Sequence, residues 1–189
     1  MKRIAIFASG SGSNAENIFN HFKENSTVEI SLILTNNANA YVIERAKNLA
    51  VKSHVFSKTD FSNTSSILTI LGENKIDLVV LAGFLLKIPE NLIKAYPNNI
   101  VNIHPALLPK YGGKGMYGDN VHKTVVAAKE TESGITIHFV NEHYDEGKII
   151  FQAKCPVLEN DTYEDVAAKI HELEYEHFPK TIDLLLKKD

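Results

Sequence analysis

The chain has 189 residues, of which 44% are hydrophobic and 23% charged, and its formal net charge is -3. That balance fits an ordinary soluble domain with a sizeable core and implies no basic surface for nucleic acid. No apolar run approaches the roughly 20 residues of a membrane span, and the single cysteine, Cys155, excludes an internal disulfide and a CxxC site. Cys155 lies in an apolar run and reads as a buried structural thiol. Polar residues after Ala8 interrupt the amino-terminal apolar run before a secretory core forms, so cytoplasmic residence is expected.

In chain order, short apolar runs at 4–8, 30–34, 53–56, 78–82 and 100–103 predict strands. The stretches between and after them, at 15–23, 41–50, 65–74, 89–95 and 122–129, predict helices. Strands at 134–140 and 149–155 and a closing helix within 163–186 complete the set, with Asp161 and Thr162 as N-cap candidates and Pro179 expected to kink or divide the helix. Alternating strands and helices imply parallel strands with right-handed crossovers. The expected fold is α/β, a Rossmann-like, mostly parallel twisted sheet of about seven strands flanked by helices. A single domain over 1–189 is expected, with a phosphate-binding half at 1–100 and a catalytic and folate-binding half at 101–189, the ligand assignments resting on the resemblance given below.

Ligands of open parallel sheets lie beyond the carboxyl ends of the strands, and each motif of interest falls at such an end. Ser9-Gly10-Ser11-Gly12-Ser13-Asn14 follows the first strand and opens the first helix. Its glycines permit a tight turn and its amides can cradle a phosphate. With Ala15 it also fits the loose G-x-G-x-x-A dinucleotide pattern, but strand two ends in Thr35-Asn36-Asn37 and offers no carboxylate for a ribose hydroxyl. A structural turn is the remaining reading. The run Ala82 to Pro89 after strand four reads first as a strand-to-helix packing corner, with a pocket wall as the alternative.

Strand alternation puts Asn102 and His104 on one side, and Pro105 ends the strand so that the imidazole stands at its mouth. Acyl transfer needs a donor for a developing oxyanion and a group that moves protons near neutral pH, which Asn and His supply. A lone histidine is usually structural. Asp145, in the loop between the last two predicted strands, supplies the carboxylate that favours a charged imidazole. His21, His54, His122, His138 and His143 lack such a setting and are assigned structural or surface roles. The H-E-x-x-H and H-x-x-E-H spacings are absent, so no catalytic metal is expected. The glycine-rich loop 111–118 is either a ligand lid or an exposed turn.

Over nearly its whole length the chain resembles the phosphoribosylglycinamide formyltransferase family. The matching signatures are Ser9-Gly-x-Gly-Ser-Asn14, Leu81-Ala-Gly-Phe84, Asn102-Ile-His-Pro-x-Leu-Leu-Pro-Lys-Tyr111, Gly134-x-Thr-x-His-Phe-Val140, Asp145-x-Gly147 and Ile149-x-x-Gln152. The resemblance implies direct attack of the phosphoribosylglycinamide amine on the formyl carbon of 10-formyltetrahydrofolate, in purine biosynthesis. Asn102 and a protonated His104 would hold the oxyanion, and Asp145 would raise the His104 pKa and position a relaying water. It further implies phosphate binding by Gly12, Ser13 and Asn14, and contact of His171 and Glu174 with the substrate amine region. Leu85, Leu86, Lys87 and Ile88, with Asn141, Glu142, His143, Tyr144 and Asp145, would line the pterin pocket beside Asn102.

Two departures stand out. Leu85-Leu86 replaces a Met and a basic residue, leaving the positive charge to Lys87, and loop 112–118 is longer and richer in glycine than the commoner Pro-Gly version. Methionyl-tRNA formyltransferase shares the trio but normally adds a carboxyl-terminal domain, and formyltetrahydrofolate hydrolase normally adds an amino-terminal one. A noncatalytic phosphate- or nucleotide-binding module would explain the first loop but not the trio. The expected partners are the two small substrates, without nucleic acid, membrane or metal, and the expected state is a monomer or homodimer.

Overall fold

The structure is a computed structural model that describes residues 1–63 and 65–187. Strand β1 (Lys2–Phe7) buries Ile4, Ala5, Ile6 and Phe7 completely, as a strand covered on both faces must. After it come α1 (Ser13–Phe22), β2 (Val28–Thr35), α2 (Val42–Asn48), β3 (Ser53–Val55), α3 (Lys58–Asn63), α4 (Ser65–Glu73), β4 (Leu78–Leu81), α5 (Glu90–Ala95) and β5 (Ile100–His104). The remainder comprises α6 (Asp119–Ala127), β6 (Glu132–Phe139), β7 (Ile149–Pro156) and α7 (Tyr163–Leu186). The strand order in the seven-stranded sheet is β3-β2-β1-β4-β5-β6-β7. This is the mostly parallel α/β sheet expected from the sequence.

The chain divides into two compact units, Met1–Val101 and Asn102–Asp189. In the first, β1 pairs in parallel with β2 and β4, and β2 with β3. Its aromatic core joins Phe7, Phe56, Phe61 and Phe84, with ring centroids between 5.1 and 6.2 Å apart. Phe84 therefore makes the segment after β4 a packing corner, while Leu85 remains exposed. Phe61 comes from α3, a helix for which the apolar periodicity gave no expectation. Its signal is a capping pair: the Asp60 N–H donates to Ser57 Oγ at 3.1 Å, and the Ser57 N–H donates to Asp60 Oδ2 at 3.0 Å.

In the second unit β6 and β7 are antiparallel. Ser133 to His138 are all buried, so β6 is covered on both faces. Helix α7 opens on Thr162, whose side chain and that of Asp165 reciprocally cap each other's backbone N–H groups. Of the kink or division expected at Pro179, division does not occur: the helix is one continuous element. Burial of Val166, Ile170, Phe178 and Ile182 along one side holds it together, each worth about 1.5–3 kcal/mol, comparable with the roughly 3 kcal/mol of an interior proline.

Two glycines make opposite predictions. A Cβ on Gly134 would lie 2.0 Å from the Ala153 carbonyl oxygen across the β6–β7 pair, whereas one on Gly72 in α4 meets nothing within 4 Å. Gly134→Ala should lower unfolding stability by about 1–3 kcal/mol through overpacking. Gly72→Ala should raise it by roughly 0.5–1 kcal/mol through helix propensity. Urea unfolding of the two variants beside the parent checks both signs.

Candidate active site

Strand β5 delivers Asn102 half-buried and His104 3% exposed, both reaching the same group of side chains as alternation requires. The His104 Nε2–H donates to the Tyr111 carbonyl oxygen at 2.7 Å. A carbonyl only accepts, so this bond fixes the proton on Nε2 and leaves Nδ1 facing Asp145 Oδ2 at 3.6 Å. Tyr111 adopts a left-handed backbone (φ 56°), which turns its carbonyl toward the ring. The segment between them is held by one buried hydroxyl. Thr136 Oγ1 donates to the Ala106 carbonyl at 2.7 Å and accepts the Leu108 N–H at 3.0 Å and the Gln152 amide at 2.9 Å. Gln152 also donates to the Leu108 carbonyl. The Thr and Gln of the sequence signatures thus position the backbone that follows the imidazole.

Asp145 sits in the loop between β6 and β7 in a left-handed conformation (φ 57°), a state a non-glycine residue keeps only where its surroundings impose it. The imposing contacts are visible. A side chain on Gly147 would place Cβ 1.6 Å from the Phe139 carbonyl oxygen, and one on Gly112 would meet Leu108 at 2.6 Å and the Asp145 Cβ at 3.3 Å. With no side chain at Gly112 the chain passes close enough for the Gly113 N–H to donate to Asp145 Oδ2 at 2.9 Å. The start of the glycine-rich loop is therefore tied to the carboxylate, neither a free turn nor a detached lid.

The sequence assigned His138 a structural role, but the structure brings it into the same group. Its Nδ1–H donates to the Phe139 carbonyl at 2.9 Å. Nε2 accepts from the Asn102 amide at 3.1 Å and faces Asp145 Oδ1 at 3.6 Å. The amide nitrogen of Asn102 carries two N–H bonds, so a second donor remains for another acceptor. The alternation Thr136-x-His138 on a buried strand was the available signal, since it puts the ring on the face of the Thr136 hydroxyl.

Electrostatics modify one expectation. Burial pushes the His104 pKa down and outweighs the upward pull of the Asp145 carboxylate and the Tyr111 carbonyl. Asp145 thus acts in the expected direction, but the net shift is downward and the resting imidazole is neutral at pH 7. For Asp145 burial pushes upward, yet the facing His138 and His104 rings and the Gly113 N–H bring the carboxyl below its usual range.

On α7, Glu174 is 5% exposed and accepts from exposed His171 Nδ1 at 3.0 Å. This bond raises the His171 pKa. His122 of α6, also set aside in the sequence, is buried, and its Nδ1 has no hydrogen-bond partner among the described residues. Burial lowers its pKa, with His171, Glu174, Asp119 and His104 as titratable neighbours. In the loop 141–145, Asn141 Oδ1 accepts the His143 N–H at 2.9 Å, while Glu142, His143 and Tyr144 are exposed. Among the described residues no group of three or more His, Cys, Asp or Glu is placed to hold a metal ion, and no helix is long and apolar enough to cross a membrane. Cys155 is buried, and desolvation raises its thiol pKa.

In the first unit, Gly12 precedes α1 with φ 75°, Ser13 is half-buried and Asn14 buried. The Ser9 hydroxyl donates to Asn36 Oδ1 at 2.6 Å and accepts the Leu85 N–H at 3.1 Å. The segments of Gly12 and Leu85, read separately in the sequence, share this hydroxyl. Leu86 is half-buried, Lys87 exposed and Ile88 buried.

An amide and an imidazole from one strand end thus stand in one group of side chains with a carboxylate from the next hairpin, on an α/β sheet. The chain belongs to the formyl transferase family, which it matches over residues 2–182. It is similar to the chloroplastic phosphoribosylglycinamide formyltransferase of Vigna unguiculata, 38% identical over 99% of this chain and 62% of that one. The phosphoribosylglycinamide formyltransferase of Bacillus subtilis strain 168 is 37% identical over 98% of this chain and 95% of its own. The crystal structure of phosphoribosylglycinamide formyltransferase from Streptococcus pneumoniae TIGR4 aligns with TM-score 0.88 at 36% identity, covering 98% of this chain and 99% of that one. The chain thus spans less than two thirds of the plant relative and nearly all of the bacterial ones.

The buried imidazoles set a stability dependence on pH. His122 has a folded pKa below its unfolded value of 6.5. Its contribution is fully present above pH 6.5 and is lost as pH falls through the folded pKa. His104 acts in the same sense and His171, held charged by Glu174, in the opposite one. Unfolding free energy measured in urea should therefore fall less between about pH 7.5 and about pH 5.5 in His122→Gln than in the parent.

Proposed function

We propose that the chain transfers the formyl group of 10-formyltetrahydrofolate to the amine of 5-phosphoribosylglycinamide, in purine biosynthesis. The observation that carries this is the convergence of Asn102, His104 and Asp145 within one buried group, in a chain whose full-length bacterial relatives bear that enzyme's name. The first unit, with Gly12, Ser13 and Asn14, takes the phosphate, and the second, with the trio, performs the transfer. Cytoplasmic residence and a partner set limited to the two small substrates belong to the same proposal.

The unprotonated amine attacks the formyl carbon. An amine of pKa about 8 is mostly charged at neutral pH, so its free form must be selected by its surroundings. Glu174, buried and joined to His171, receives this end of the substrate. As the new C–N bond forms, negative charge collects on the formyl oxygen, where the second N–H of Asn102 donates to it. The amine must lose one proton and the departing N10 of tetrahydrofolate must gain one. His104 is neutral at rest with Nδ1 unprotonated, so it takes this proton, and the imidazolium stands against ionised Asp145. Return of the proton to N10, through a water held by Asp145, breaks the old C–N bond and restores the resting state. The backbone of residues 141–145, together with Asn102, receives the pterin, and Tyr144 adds exposed apolar surface for it.

Removing one oxyanion donor typically costs about 2.7–4 kcal/mol, or about a hundred- to a thousandfold in rate. Asn102→Ala should show a loss of this order in single-turnover formyl transfer, and His104→Ala, which removes the proton-transfer group, a loss of about a hundred- to ten-thousandfold, with both variants remaining folded. Near-normal transfer in both would refute the assignment. Folate release without the amine substrate would instead indicate a hydrolase, and no release under either condition a binding module. The acid limb of the pH-rate profile should lie below pH 6.5, because burial lowers the His104 pKa. Asp145→Asn removes the upward pull, so its residual activity should show that limb at still lower pH.

A further inference from the structure

The loop after β1 has its carbonyl groups fastened on one side. The Gly10 carbonyl accepts the Val42 N–H at 3.1 Å, and the Gly12 carbonyl accepts the Glu16 N–H at 3.0 Å. The Ser11 carbonyl between them is held by a side chain, the Arg45 Nε–H, at 2.9 Å. In a planar trans peptide the C=O and the following N–H point in opposite directions. Fixing these carbonyls therefore directs the N–H groups of Ser11, Gly12 and Ser13 the other way, as an anion cradle needs.

The Ser11–Gly12 peptide is the vulnerable one. Gly12 is left-handed (φ 75°), and glycine tolerates either sign of φ, so rotation of this plane is cheap. A rotated plane would present a carbonyl oxygen to the phosphate in place of an N–H. Arg45 is itself immobilised: Nη1 pairs with Glu16 of α1, and the guanidinium lies over the Tyr41 ring, 5.1 Å from its centroid. Paired with Glu16, it adds little net charge to the cradle. Its planar fork satisfies the carboxylate and the carbonyl together, which a lysine ammonium does poorly. Val42 closes the rest of the space, since a Cβ on Gly12 would lie 2.3 Å from Val42 Cγ2.

We propose that Arg45 is a positioning residue that latches the Ser11–Gly12 peptide with its amide toward the substrate phosphate. This rests on the assignment of Gly12, Ser13 and Asn14 as the phosphate cradle.

The test uses the full chain and two readouts: binding of inorganic phosphate followed by amide chemical shifts, and steady-state formyl transfer. Arg45→Met should weaken phosphate binding and raise the KM for phosphoribosylglycinamide, each about tenfold or more, with kcat and the folate KM nearly unchanged. Arg45→Lys should recover only part of the loss. Glu16→Gln, which keeps the Ser11 bond, should bind phosphate at least as well as the parent. Parent-like phosphate affinity in Arg45→Met, or full recovery in Arg45→Lys, would overturn the latch. So would a loss in Glu16→Gln matching that of Arg45→Met, because inter-helix packing would then be responsible. A parent that forms no formylated product but whose phosphate binding still follows Arg45 would refute the reaction and retain the latch. A parent that transfers formyl groups without binding phosphate would refute both the cradle and the latch.

Discussion

The second unit is organised around one ionised carboxylate kept out of water. Asp145 faces two buried imidazoles at 3.6 Å each, beyond hydrogen-bond range, and accepts a hydrogen bond from the Gly113 amide. Left-handed backbone at Asp145, two glycines whose Cβ atoms would collide and a hairpin that returns to the sheet all serve to put this carboxylate there. In a low-dielectric surrounding an unpaired carboxylate would protonate instead. The facing rings and the amide prevent that, and the anion is available before any substrate arrives.

The same burial acts against His104. An exposed imidazole beside a carboxylate would be charged near neutral pH, but desolvation of this ring exceeds the attraction. The balance leaves a neutral base whose protonated form already has its counterion in place. In the proposed transfer, His104 takes up a proton beside a carboxylate already in place, so no charged group has to be recruited. Asn102 complements it with a donor that does not titrate. His138 fixes the amide's orientation by accepting one of its hydrogens.

Much of this was legible in the sequence. Asn102 and His104 two residues apart on a strand, stopped by Pro105, announced their shared side, and Asp145 stood in the only loop between the last two strands. The order of strands and helices gave the sheet because apolar period and turn residues agreed along the chain. What escaped depended on distant neighbours. Alternation with Thr136 gives the face of the His138 ring but not its partner, which is Asn102, 36 residues earlier in the chain. The net His104 shift depended on how deeply the ring is buried, which residue types alone do not state. Helix α3 was missed because its capping pair at Ser57 and Asp60 precedes a single buried anchor, Phe61, too short for periodicity to register. Pro179 does not divide α7, which is held by its buried side chains on either side of the proline.

Two loops in this chain solve a common problem by the same means. Each follows a strand end, where backbone groups leave the sheet and lose their ladder partners. In the second unit Thr136 and Gln152 take up the Ala106 and Leu108 carbonyls. In the first, Val42 and Arg45 take up those of Gly10 and Ser11. A loop whose carbonyls are already engaged has little freedom left to lose when a ligand binds, so the ordering cost is met during folding. The orientation of the remaining amides and side chains is then set by the scaffold. This explains why the signatures include residues such as Thr136 and Gln152, for which no direct role in chemistry is needed: both restrict the path of the segment that follows His104.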